Sequence, residues 1–133
     1  DIPGLICQSG QMSNTKYFAF AAGLVMTAGA AFAQPPVIDA VKADKIGAGW
    51  SFAATISHPE PGWEHYADGW EVLDMNGASL GLRVLVHPHV NEQPFTRSLS
   101  GVVIAPGTRQ VQIRASDNVD GWTSDLFLLS LQN

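Results

Sequence analysis

Short runs of alternating apolar and polar residues, separated by Gly, Pro and Asn, are the feature that most restricts the fold of this sequence. The run 49–57 (GWSFAATIS) alternates most clearly, and the run 108–116 repeats the pattern. A two-residue period places every second side chain on one face of a β-strand. After Gln34 no stretch has a convincing 3.6-residue apolar period. The sequence therefore predicts an all-β domain.

Such runs recur every ten to fifteen residues, and about seven of them fit into residues 34–133. This spacing is typical of an immunoglobulin or fibronectin type III-like β-sandwich. The predicted strands are 37–42, 49–57, 66–74, 80–87, 98–104, 108–116 and 124–131. The side chains predicted to be largely buried are Trp50, Phe52, Ile56, Trp70, Val72, Leu82, Val84, Val111, Ile113, Phe127 and Leu129.

The segment DMNG, which begins at Asp74, predicts the register of one hairpin. Its residue types suit a type I turn followed by a bulge, with Asp74 paired with Ala78. That register places Trp70 opposite Leu82, so that apolar faces match. A two-residue Asn-Gly loop would instead place Trp70 opposite Arg83, and we prefer the first register because the hydrophobic pattern sets register.

Residues 12–33 read as a secretory signal peptide that precedes one domain at 34–133. Lys16 supplies the positive start, an apolar run follows, and Ala31-Phe32-Ala33 is a small-x-small cleavage motif. The apolar run is shorter than the roughly 20 residues that span a bilayer. Residues 1–11, which include Cys7, have no periodicity and are interpreted as upstream sequence. We expect a periplasmic or secreted protein with no membrane insertion after cleavage.

Charge and motif content exclude several classes of function. The formal net charge is −5, and an acidic chain without a basic stripe is a poor ligand for nucleic acid. The sequence has no G-x-S-x-G elbow, no Gly-rich phosphate loop and no cysteine after Cys7. We therefore expect a protein that is not an enzyme.

All four histidines fall between residues 58 and 89, and three of them suggest a metal site. In His87-Pro88-His89 the two imidazoles point the same way on an extended chain. The preferred hairpin register, when extended, pairs His65 with His87. With Glu64, Asp68 or a water, these histidines could hold Zn²⁺ or Cu²⁺. The alternative is that they are exposed or bonded to nearby carboxylates.

A second hypothesis is a protein–protein interaction module that uses exposed aromatic residues. Residues 58–63 (HPEPGW) form a proline-stiffened loop that either presents Trp63 to a partner or lays it over the edge of the core. Phe95 lies in a polar segment, where Glu92 and Arg97 could form a charge-assisted hydrogen bond. Residues 117–122 fail the spacing of a calcium loop and are predicted to form a turn.

Two motifs carry a resemblance to a known group of proteins. They are GWxHYAD, from Gly62 to Asp68, and HPHxxEQPFTR, from His87 to Arg97. Together with the rest of residues 49–122 they resemble small exported bacterial proteins in which a signal peptide precedes one immunoglobulin-like domain. The resemblance implies this fold and no activity. The sequence hypothesis is thus an exported, non-catalytic binding domain with a candidate copper or zinc site.

Overall fold

The computed structural model describes residues 34–132, so the predicted signal peptide, residues 1–11 and Cys7 lie outside the described residues. Within these described residues eight strands form, and all their pairings are antiparallel. Among the described residues no helix is long and apolar enough to cross a membrane. The strands are β1 (Val37–Ile46), β2 (Gly49–Ser57), β3 (Ala67–Leu73), β4 (Ser79–Val84), β5 (Phe95–Val102), β6 (Gln110–Asp117), β7 (Gly121–Trp122) and β8 (Phe127–Ser130).

The strands form two sheets that enclose one hydrophobic core. One sheet has the order β1-β2-β5, and the other has the order β4-β3-β6-β7, with β8 also paired to β6. The short β7 and β8 occupy the same side of β6, as two pieces of one edge. The predicted all-β sandwich class is confirmed, with sheets of three and five strands.

The core consists of the inward faces of β2, β3, β5 and β6. Seven of the residues predicted to be buried are 5% exposed or less, and Phe127 and Leu129 are partly buried against the core. The prediction was wrong for Leu82 and Val84, which are 50% and 58% exposed. The seven confirmed core residues are Trp50, Phe52, Ile56, Trp70, Val72, Val111 and Ile113.

The error at Leu82 and Val84 comes from a bulge in the β3–β4 hairpin. The predicted turn forms: Asp74 N donates to Ala78 O at 2.9 Å, and Gly77 has the positive φ of 89° that this turn needs. The register then shifts between Val72 and Leu73, so that Trp70 pairs with Arg83. One extra residue reverses which face each β4 side chain occupies.

Packing against the opposite sheet explains why the shifted register fits. Gly81 now faces inward, where a Cβ would lie 3.0 Å from Leu99 Cδ2. Arg83 Nη1 donates to the carbonyl oxygen of Ser98 in β5 at 2.8 Å. The inner face of β4 therefore brings a glycine and an arginine towards the other sheet, and its apolar Leu82 faces outward.

Candidate functional site

Two inward-facing series of side chains end in polar residues at one end of the sandwich. In β2 the buried series Trp50, Phe52, Ala54 and Ile56 is continued, two residues further on, by the fully buried His58. In β6 the series Val111, Ile113 and Ala115 ends in Asp117, which is 1% exposed. The same alternation that builds the core therefore places an imidazole and a carboxylate next to the last apolar side chains of these two series.

The carboxylate of Glu60 joins two loops at this end. Its side chain is fully buried. Oε2 accepts the backbone N–H of Ala67 at 2.7 Å and faces His58 Nδ1 at 2.8 Å. Oε1 accepts the backbone N–H of His89 at 2.5 Å and faces His89 Nδ1 at 3.1 Å. Four partners satisfy this carboxylate, so it is a rigid hub between His58 and His89.

The hydrogen bonds at Glu60 determine its charge. Burial by itself would raise the pKa of this carboxyl, because it disfavours the ionised form. The bonds from Ala67 N–H, His58 and His89 together outweigh burial, and the pKa of Glu60 is lowered. The hub is therefore an ionised carboxylate that accepts from every partner.

His58 lies between two hydrogen-bond acceptors. Its Nδ1 faces Glu60 Oε2, and its Nε2 lies 2.9 Å from the backbone carbonyl oxygen of Gln34. A carbonyl oxygen cannot donate, and neither can an ionised carboxylate, so both ring nitrogens of His58 face hydrogen-bond acceptors.

His65 and Asp117 place two unsatisfied polar atoms opposite each other. His65 Nε2 and Asp117 Oδ2 are 3.5 Å apart, and both are buried without a hydrogen-bond partner among residues 34–132. The other carboxylate oxygen, Oδ1, accepts the N–H groups of Val119 and Asp120, which fixes the side chain in a turn. The His65 ring also packs edge-on against His58, with centroids 4.7 Å apart.

One ligand atom from each of His58, His65 and Asp117 can be chosen so that all three lie within 4.8 Å of one another. We call this group the buried site. Nitrogen and carboxylate oxygen are ligands that zinc and copper accept. Among the described residues, this is the group of histidine and carboxylate side chains with the spacing of a metal site.

His87 and His89 form a second group on the other side of Glu60, which we call the outer pair. Their ring centroids are 5.0 Å apart. His89 is buried and stacks on Phe95, with the rings 3.7 Å apart and nearly parallel. Burial lowers the pKa of His89, although its bond to Glu60 partly opposes this shift. His87 is exposed.

Gln93 ties the two loops together. Its Oε1 accepts the backbone N–H of His58 at 2.9 Å, and its Nε2 donates to the backbone carbonyl of His89 at 3.0 Å. Both the oxygen and the nitrogen of this amide are used, so the loops after β2 and before β5 are held at a fixed separation. These two hydrogen bonds therefore restrain the backbone at His58 and at His89.

The predicted set His65, His87 and His89 is divided between these two groups. His65 belongs to the buried site, whereas His87 and His89 are neighbours in the outer pair. The paired region of β3 and β4 begins at Gly69 and ends at Val84, and its register is shifted by one residue from the predicted one. The predicted cross-strand pairing of His65 with His87 is therefore not part of the sheet.

The residues assigned to an interaction surface have different environments. Trp63 is 65% exposed and packs edge-on against Tyr66, so it does not cover the core. Phe95 is fully buried beneath His89, and its predicted place on a binding surface is wrong. The physical reason is that β5 begins at Phe95, directly opposite Ile56 in the core.

The acidic residues predicted near the site also lie in different places. Glu92 and Arg97 form the expected pair, with Nη1 and Nη2 donating to the two carboxylate oxygens at 3.0 Å and 2.9 Å. Asp68 accepts the hydroxyl of Ser116. Glu64 is exposed. Neither Glu64 nor Asp68 belongs to the buried site, where Asp117 supplies the carboxylate instead.

Comparison with known proteins gives one distant relative. A protein of Halomicrobium mukohataei named "Putative lipoprotein" is 31% identical to this chain over 97 residues, which are 73% of the chain and 47% of the relative. The chain thus spans about half the length of this curated relative. No family model matches the chain. No solved structure matches it either.

Proposed function

We propose that this chain is an exported, non-catalytic binding domain that holds a divalent transition metal, Zn²⁺ or Cu²⁺, at the buried site. The observation that carries the proposal is the facing pair of unpartnered atoms, His65 Nε2 and Asp117 Oδ2, at 3.5 Å. Buried polar atoms almost always have a partner. Two ligand atoms about 2.1 Å from a tetrahedral metal would lie about 3.4 Å apart. The separation of the pair therefore suits a shared metal.

Glu60 supports His58 as the third ligand. Nδ1 of His58 is held by the carboxylate, so Nε2 is the nitrogen that can face a metal. Metal binding at Nε2 would replace its contact with the Gln34 carbonyl oxygen. The arrangement carboxylate–histidine–metal is common because the carboxylate fixes the ring and raises its basicity.

Burial favours retention of a metal over catalysis. His58 and Asp117 are fully enclosed, and the side chain of His65 is only 13% exposed. A catalytic metal needs an open position that a substrate can reach, and the walls of this site leave little access. Export is supported by the signal-peptide pattern of residues 12–33 and by the name of the lipoprotein relative.

The metal proposal is tested by titration of the chain with Zn²⁺ and Cu²⁺, with a competing chelator and elemental analysis after dialysis. We expect one tightly bound metal per chain. His65→Ala and Asp117→Asn should each weaken this tight binding at least tenfold, whereas His87→Ala, a histidine outside the buried site, should leave it unchanged. Equal tight binding by the parent and His65→Ala would refute the proposal.

An interaction module is a second candidate, and Trp63 favours it. The indole is exposed, yet its backbone is fixed: the Trp63 carbonyl accepts from Asn118 Nδ2 at 3.1 Å, and the neighbouring Gly62 pairs with His65. A rigid, exposed tryptophan binds partners at low entropic cost. Loss of a partner on Trp63→Ala, with unchanged metal binding, would support this function.

A further inference from the structure

The outer pair lines an open depression next to the buried site. Its volume is about 490 Å³, and Trp63, Asn91 and Glu92 line it together with His87 and His89. The two rings are tilted 46° to each other at a centroid distance of 5.0 Å. The exposed ring of His87 thus lies at the surface of this depression, and the buried ring of His89 lies directly beneath it.

Hydrogen bonding fixes which nitrogen of each ring is available. His89 Nδ1 faces Glu60 Oε1, an ionised acceptor, so Nδ1 carries the proton. His87 Nδ1 lies 3.0 Å from the carbonyl oxygen of Pro88, which also requires a proton on Nδ1. In a neutral imidazole the lone pair is then on Nε2. Neither Nε2 forms a hydrogen bond with any residue of the described part of the chain.

The two rings differ in how firmly they are held. His89 is fixed by Glu60 on one edge and by Phe95 on one face, and its side chain is only 1% exposed. His87 is exposed, with one bond to its neighbouring carbonyl. The exposed His87 ring can therefore turn its Nε2 towards an ion bound at the fixed Nε2 of His89.

We propose that His87 and His89 form a second, open transition-metal site, through which Cu²⁺ or Zn²⁺ exchanges with the buried site. The proposal rests on the metal-binding function proposed above. Two protein ligands leave the other positions of the metal to water or to a ligand from another molecule, so this site binds more weakly and releases faster than a site with three. The outer pair would accept and hand over metal that the buried site retains.

Glu60 connects the two sites. One oxygen of its carboxylate holds His58 of the buried site, and the other holds His89 of the outer pair. Each bond directs the Nε2 of its histidine away from the carboxylate. Both sites therefore share one orienting carboxylate, so a change at Glu60 would affect both.

The test is a titration of the full chain with Cu²⁺ alone and with Zn²⁺ alone, followed by transfer of the bound metal to a chelator in a stopped-flow instrument. We expect two binding components, the second at least tenfold weaker. His87→Ala should remove the weaker component and slow metal loading of the tight one at least fivefold. Asn91→Ala, which changes another residue of the same depression, should change neither.

His89→Ala removes a buried side chain that contacts Phe95 and Glu60, so the exposed His87 is the variant that tests the site. A His87→Ala chain with both components and the parent's loading rate would overturn the inference. His65→Ala separates the two proposals: loss of only the weaker component there refutes the buried site, and loss of only the tight component supports both.

Discussion

Replacing Glu60 by glutamine should test whether this carboxylate holds the end of the sandwich together. Glu60→Gln preserves size but removes the charge and replaces one acceptor oxygen with an N–H₂ donor. The carboxylate accepts from Ala67, from His58 and twice from His89. The amide oxygen can serve only one side, so two N–H donors would face another donor. Each buried donor that loses its acceptor costs about 1–3 kcal/mol, so two of them together cost roughly 2–6 kcal/mol.

This cost is large compared with the stability of a domain of this size, which is about 5–15 kcal/mol. One kcal/mol corresponds to roughly 4–8 °C in Tm for a domain of 60–100 residues. We therefore expect Glu60→Gln to lower Tm by at least about 8 °C in a far-UV circular dichroism scan, and to lower the free energy of unfolding measured by tryptophan fluorescence in urea. The matched control is Glu92→Gln, an exposed carboxylate whose surface pair with Arg97 should contribute little to stability because solvent screens it. If the free energy of unfolding of Glu60→Gln lay within 1 kcal/mol of the parent's, the role of Glu60 as a hub would be refuted.

Two further predictions concern pH and packing. The pKa values of His89 and Glu60 are both lowered in the folded chain. The unfolded chain therefore binds more protons than the folded chain in acid. Urea titrations should show that the free energy of unfolding falls as pH drops below about 6.5, and falls further below about 4.5. Unchanged stability between pH 7 and pH 4 would contradict this. Gly81→Val should destabilise by about 1–3 kcal/mol in the same assay, because its side chain would meet Leu99 and Val102; a neutral effect would mean that β4 can move outward.

The sequence was a good guide to the core and a poor guide to one hairpin. Alternation identified Trp50, Phe52 and Ile56 because β2 has one buried face. It failed at Leu82 because the choice of register assumed that every apolar side chain faces inward. A bulge and an inward glycine reversed that face, and neither leaves a periodic signal in a single sequence.

The candidate site could have been found by extending the same alternation. His58 follows Ile56 and Asp117 follows Ala115, each two residues further along a series already assigned to the core. A polar residue that continues a buried series must find a partner. What sequence alone could not show is that the two series end at the same place, since that depends on the packing of one sheet against the other.

Substitution of His65 and Asp117 can show whether these buried side chains bind a ligand or stabilise the fold. Apolar side chains of similar size often replace a buried polar pair at no cost, and sometimes with a gain in stability. His65 and Asp117 do not even satisfy each other at 3.5 Å, so their contact stabilises the fold little. The double variant His65→Leu/Asp117→Asn keeps the Oδ1 acceptor for Val119 and Asp120, and removes the imidazole and the charge. We expect a chain as stable as the parent, within about 1 kcal/mol, that has lost tight metal binding. The contrary outcome in urea denaturation is a free energy of unfolding more than about 2 kcal/mol below that of the parent, as when other buried polar networks are broken. In that case the pair stabilises the fold, and the inference of a metal site from its geometry is wrong.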